Sequence, residues 1–151
     1  MIAKEKLNIL WSLEQTAEKY ANRVAVSDVN QELTWKELVK KAQIIGAELS
    51  EKVQPGNPVP VLLEKSSETL AVMLGIVYAG CFYVPVNPMN PTERLRKIME
   101  KLDPEVIISD EKGKEQLAAI GNGLENKVMG PEALKTATGT ELSEEQYSRL
   151  E

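Results

Sequence analysis

The stretch Tyr78-Ala-Gly-Cys-Phe-Tyr-Val-Pro-Val-Asn-Pro-Met-Asn-Pro-Thr-Glu-Arg94 decides how this chain folds. An aromatic-rich apolar run meets a tract holding Pro85, Pro88 and Pro91, and a helical pattern then begins. Gly80 is the natural end of a helix. Phe82–Val86 reads as a strand, and residues 87–90 form its exit loop. Asn90 is expected as the cap of the next helix, with Pro91 at the first helical position and Glu93 two places on. Leu95, Ile98, Met99 and Leu102 then recur at helical spacing. The stretch is thus helix, strand, loop, helix.

The same alternation extends outward. Upstream, Val59–Leu63 is a short apolar strand, and Pro60 places it near an edge or a bulge because proline donates nothing to a ladder. Ser66 or Ser67 caps a helix over residues 68–79 that is apolar nearly all round and therefore largely buried. Downstream, Asp103-Pro104 stops a helix, and Glu105–Ser109 is a strand. Residues 111–120 are a helix, and Lys127–Met129 is a last short strand. Short apolar strands joined by crossover helices imply a parallel sheet covered on both faces. The expected class is α/β, three-layered, mostly parallel, with helices on both faces and a short N-terminal hairpin.

That hairpin pairs Val24–Asp28 with Leu33-Thr34. Before it, residues 8–20 predict a helix whose stripe is Ile9, Leu13, Ala17 and Tyr20. After it comes LTWKEL, residues 33–38, a full helix-start device. Thr34 caps the N–H of Glu37, Glu37 reaches back to Thr34, and Leu33 and Leu38 form a hydrophobic staple. The helix runs to about Ser50 with Leu38, Ala42, Ile45 and Leu49 inward and Lys40, Lys41 and Glu48 outward. From about Glu132 the pattern fades. The expected division is residues 1–130 as one α/β unit and 131–151 as a polar tail or the start of a linker.

Bulk composition closes several routes. The net charge of −5 argues against a nucleic-acid partner. There is no histidine, so a Ser-His-Asp triad or an ordinary zinc site is out of reach. A single cysteine, Cys81, excludes an internal disulfide and suits a reducing compartment. The longest apolar run, Leu70–Ala79, has ten residues, whereas a membrane helix needs about 20. A cytoplasmic chain with no membrane partner is expected.

The chemical motifs each read more simply as structure. Gly75 and Gly80 have P-loop spacing, but Cys81 and Phe82 stand where Lys and Ser/Thr are required. Gly121-Asn-Gly123 lacks the third glycine of a dinucleotide loop, since Asn126 occupies it. Cys81 sits in apolar company with no activating base. Asp28, Asp103 and Asp110 lie at element ends as turn acids. Arg94, Arg96, Lys97 and Lys101 read as a solvated helix face. No residue is assigned a catalytic, cofactor-binding or metal-binding role.

Two motifs in order nonetheless resemble the opening of the adenylate-forming enzymes, which include nonribosomal peptide synthetase adenylation domains, D-alanine–carrier protein ligases and acyl-CoA synthetases. Leu33-Thr-Trp-Lys-Glu-Leu38 is similar to the first core motif, with Trp35 for the usual Tyr. Ile76-Val-Tyr-Ala-Gly-Cys-Phe-Tyr-Val-Pro-Val-Asn87 is similar to the second, with Asn87 for the usual Asp. Pro55-Gly56, Val61–Ser66, Asn90–Arg94 and Glu105–Asp110 fit as well, so the resemblance covers residues 8 to about 129. Pro91-x-Glu-Arg94 looks more like the amino-acid-activating branch.

The resemblance implies an N-terminal portion of an ATP-dependent ligase. The parent would join an amino acid or similar carboxylate to AMP and pass the acyl group to a carrier thiol. It also implies that the parent's phosphate loop, adenine and ribose contacts and catalytic lysine lie beyond this sequence. ATP and Mg would then belong to the parent, and this chain would hold neither. The implied partners are the remainder of the adenylation domain and a carrier protein, with self-association of the isolated piece through an exposed apolar patch. The competing reading is a self-contained flavodoxin-like binding module.

Overall fold

The computed structural model describes residues 8–135 together with Leu142, Glu144, Gln146 and Leu150. Helix α1 (Ile9–Lys19) precedes a hairpin of β1 (Val24–Ser27) and β2 (Glu32–Thr34). Helix α2 (Trp35–Ser50) leads into β3 (Pro58–Leu62), α3 (Ser67–Tyr78), β4 (Phe82–Pro85) and α4 (Thr92–Leu102). Then follow β5 (Ile107–Ser109), α5 (Glu111–Ile120), a 3-10 turn (Leu124–Lys127), β6 (Val128–Met129) and α6 (Pro131–Lys135). Strands β3 to β6 form one parallel sheet in the order β4-β3-β5-β6, and β1 and β2 pair antiparallel apart from it. The expected α/β class, parallel sheet and hairpin are all present.

Side-chain alternation along the strands builds two cores. Val59, Val61 and Ile108 face α2 and α3, where Leu38, Ile45, Leu49, Val72 and Ile76 complete the larger cluster. Leu62, Ile107 and partly Val128 face the other way, onto Leu95, Met99, Leu117 and Leu124 of α4, α5 and the 3-10 turn. A smaller cluster of Leu10, Leu13, Ala42, Tyr78 and Leu142 fastens α1 to the outside of α2 and α3.

The α2–α3 seam depends on two glycines. A Cβ on Gly46 would sit 2.5 Å from the Cβ of Tyr78, and one on Gly75 would run into the side chain of Ile45. Backbones can approach this closely only without side chains between them. The N-terminus of α2 is the capping box read from LTWKEL. Glu37 N–H donates to Thr34 Oγ1 (3.3 Å), and Thr34 N–H donates to a Glu37 carboxylate oxygen (2.8 Å). That donated bond holds the Glu37 carboxyl below its ordinary range.

Five expectations need correction. First, the α1 stripe is Leu10, Leu13 and Ala17, while Ile9 is 63% exposed and Tyr20 is half-buried. The helix is set by its Asn8 cap and rolls one residue from the expected face. Second, Pro60 is buried in an interior strand. Val86 N–H donates to Val61 O and Phe82 N–H to Asn57 O, so odd residues of β3 bond β4. By alternation Pro58 and Pro60 turn their missing N–H toward β5, which pairs only from Val61 onward. Third, α4 begins one residue late: Pro91 occupies the cap position and no side chain caps the helix. Asn87 instead accepts from Met89 N–H (2.9 Å), and Asn90 N–H donates to Asn87 O (3.0 Å), closing the loop on itself. Fourth, Lys41 is not turned outward: it pairs with Glu68 of α3. Fifth, of the described residues after Glu132, Leu134 and Leu142 are buried in the cores, at 2% and 6% exposure.

Candidate functional site

The carboxyl ends of parallel strands are where α/β proteins place ligand sites. Here the ends of β3 and β5 are filled by the chain's own caps. Ser66 Oγ accepts from Thr69 N–H (3.1 Å) at the start of α3, and Asp110 accepts from Gly113 N–H (2.8 Å) at the start of α5. Both helix N-termini have therefore spent a donor internally, and Glu68 and Glu111 in their first turns disfavour an added anion.

Asp28 has a role that turn chemistry alone did not reveal. Its carboxylate accepts from Asn30 N–H (2.8 Å) and Gln31 N–H (3.0 Å) within the hairpin turn. It also accepts from Ser67 N–H (2.8 Å) and Ser67 Oγ–H (2.6 Å) across 39 residues of sequence. The Ser67 hydroxyl and the surrounding amides hold its carboxyl far below the ordinary carboxylate range. Gln31 donates to Glu68 (3.0 Å), and Glu68 pairs with Lys41. The hairpin, α2 and α3 are bolted together by this network. Asp28 is thus a structural acceptor, not a solvated acid.

The other candidates fall where chemistry does not need them. Gly75 lies inside α3 at the seam, and Gly80 follows that helix at φ 75°. Gly121 and Gly123 form a left-handed turn before the 3-10 segment. Cys81 is buried, its thiol 3.4 Å from Gln54 O. Asp103 ends α4 in a left-handed conformation. Arg96 is clasped by Glu93 and Glu100, whereas Arg94, Lys97 and Lys101 are exposed.

Two cavities stand out among the described residues. One of about 180 Å³ lies between the ends of α4 and α5, beside Arg96, Glu100, Asp103 and Lys127. The other, about 170 Å³, is lined by Ile44, Ile45, Val72 and Leu134 with Lys41 and Glu68 at its rim. Ligand pockets usually run to about 300–1,000 Å³. No cluster of three or more His, Cys, Asp or Glu side chains is arranged for a metal among the described residues.

One surface is left open. Strand β4 is the sheet's edge, Phe82 and Tyr83 are 51% and 41% exposed, and Met89 beyond them is 72% exposed.

The family model described as AMP-binding enzyme matches residues 13–149. The chain belongs to that family. Among its relatives, bacitracin synthase 1 of Bacillus licheniformis is 36% identical over 107 residues. That match covers 70% of this chain and 2% of the synthase. Among solved structures, the N-terminal subdomain of Klebsiella oxytoca NpsA superposes with a TM-score of 0.74 at 20% identity, which speaks to fold alone. The alignment covers 87% of this chain and 32% of that one. ATP-bound MatB from Rhodopseudomonas palustris aligns with a TM-score of 0.73 and 25% identity, over 86% of this chain and 27% of MatB. The chain is thus an N-terminal part of an adenylation domain of the nonribosomal peptide synthetase type. No helix among the described residues is long and apolar enough to cross a membrane.

Proposed function

We propose that this chain is the supporting layer of an ATP-dependent ligase that converts an amino acid, or a similar carboxylate, to an acyl-adenylate and passes it to a carrier thiol. The observation that carries the reading is a family match over residues 13–149 on a fold whose polar groups are committed to caps and seams. Phosphoryl chemistry needs cations and backbone N–H groups aimed at the developing charge. In this reading they come from the rest of the parent, which also holds ATP and Mg. The unit over residues 1–130 is the scaffold, and residues 131–151 lead toward the remainder. The parent works in the cytoplasm with a carrier protein as partner. The Asn90–Arg94 continuation favours an amino-acid substrate over an acyl-CoA product.

The test is amino-acid-dependent exchange of radiolabelled pyrophosphate into ATP. The 151-residue chain is expected at the level of a blank, and the native polypeptide that contains it well above. Exchange by the 151-residue chain alone refutes the scaffold reading. The absence of exchange with every amino acid and aryl acid tried in the native polypeptide refutes the ligase reading.

A further inference from the structure

The link Gly121-Asn122-Gly123 between α5 and the 3-10 turn lacks the third glycine of a dinucleotide loop, yet it holds the chain's one Asn-Gly pair. Such a pair carries its own chemistry. The backbone nitrogen of the following residue can attack the asparagine side chain at Cγ, which is one reason asparagine is thermolabile. The attack needs a nitrogen free of hydrogen bonds, no side chain in its way and a backbone with room to turn.

Asn122 meets all three conditions. It is exposed, and none of the described residues accepts from Gly123 N–H. Residues 121–123 all lie in the left-handed half of conformational space, at φ 86°, 62° and 70°. A Cβ on Gly121 would meet nothing within 4 Å, and one on Gly123 only the Asn126 amide nitrogen at 3.5 Å. The other asparagines each fail a condition. Asn57, Asn87 and Asn90 precede prolines, whose nitrogen has no proton to give up. Arg23 N–H, after Asn22, donates to Tyr20 O, and Gln31 N–H, after Asn30, donates to Asp28. Asn8 and Asn126 are followed by the bulky Ile9 and Lys127.

We propose that Asn122 is a site of spontaneous deamidation in the folded chain. Hydroxide takes the proton of Gly123 N–H, and that nitrogen bonds to Asn122 Cγ. The Cγ–Nδ2 bond breaks and ammonia leaves, closing a succinimide ring. Water then opens the ring. Cleavage at Cγ gives aspartate, and cleavage at the main-chain carbonyl carbon gives isoaspartate. Nothing is oxidised or reduced, and a neutral amide becomes a carboxylate, so the net charge of −5 falls by one unit. Arg96, Glu100, Asp103 and Lys127 line the cavity that Asn122 borders, two cations against two carboxylates. Their charges balance, and hydroxide sets the pH dependence.

The test is incubation of the 151-residue chain at neutral and at mildly alkaline pH. Ion-exchange chromatography then separates charge forms, and peptide mapping with enzymatic methylation of isoaspartate locates the change. The expected result is an acidic form, shifted by one charge, that accumulates faster at the higher pH and carries both aspartate and isoaspartate at position 122. Asn122→Gly, which suits the positive φ, is expected to lose that form. An acidic form that maps first to another asparagine overturns the proposal. Aspartate without isoaspartate, the mark of direct hydrolysis of the amide by water, also overturns it. So does a folded chain that stays unmodified, whether or not the chain unfolded in urea reacts.

Discussion

The α2–α3 seam and the β4–α4 corner were announced by equally strong sequence motifs, yet they are finished to different degrees. At the seam, Gly46 and Gly75 let two helices touch, the capping box satisfies the start of α2, and Asp28 and Glu68 tie in the hairpin. Every element there is completed by groups within the chain. At the corner, the helix lacks a side-chain cap, the strand has an open edge, and Phe82, Tyr83 and Met89 face solvent. A motif therefore specifies local geometry without implying that the surrounding layer is complete. The closed region behaves as a domain core, and the open one keeps an exposed strand edge.

Substitutions separate the two regions, beginning with the largest effect. Gly75→Ala should destabilise by about 2 kcal/mol in urea denaturation, within the range for overpacking. Alanine's helix preference, worth up to about 1 kcal/mol over glycine, works against this. Overpacking wins because the added methyl meets the branched Cβ of Ile45 and the backbone carbonyl of Ala42, which have little room to withdraw. A stability unchanged or raised would mean that the seam is loose.

Thr34→Ala should cost about 1 kcal/mol by the same measurement. Asn90→Ala, at the residue that sequence reading named as the cap of α4, should lie within about 0.5 kcal/mol of the parent. Equal losses would show that the two helix starts are alike after all.

Asp28→Asn should lower the melting temperature at pH 7 by less than the seam substitution, because the amide oxygen keeps part of the acceptor role. The pH dependence carries its own sign. Asp28 has its folded pKa depressed, so its contribution is present above the unfolded value near 3.8 and is lost as pH falls through the folded value. The difference between Asp28→Asn and the parent chain should shrink steadily as pH falls below about 4. A gap constant over that interval would remove Asp28 from the tie to Ser67.

Phe82→Ser should have the smallest effect, within about 0.5 kcal/mol in the 151-residue chain. A loss several times larger would show that the β4 ring is already packed and that the corner is closed.

Periodicity and capping chemistry were enough to read the element order, the parallel sheet, the capping box at Thr34 and the bounds of α5, because these are set by neighbours a few residues apart. The sequence also carried the family, through two ordered motifs at Leu33–Leu38 and Ile76–Asn87. Tertiary structure alone decided that Pro60 sits inside the sheet, that Lys41 turns to Glu68, that Asp28 reaches Ser67, and that Leu134 and Leu142 join the cores. It also decided that β4 lies at the edge of the four-stranded sheet. Each of these depends on which strand or helix lies alongside, and strand order leaves no local mark: an apolar run of four residues looks the same at the edge of a sheet as in its centre.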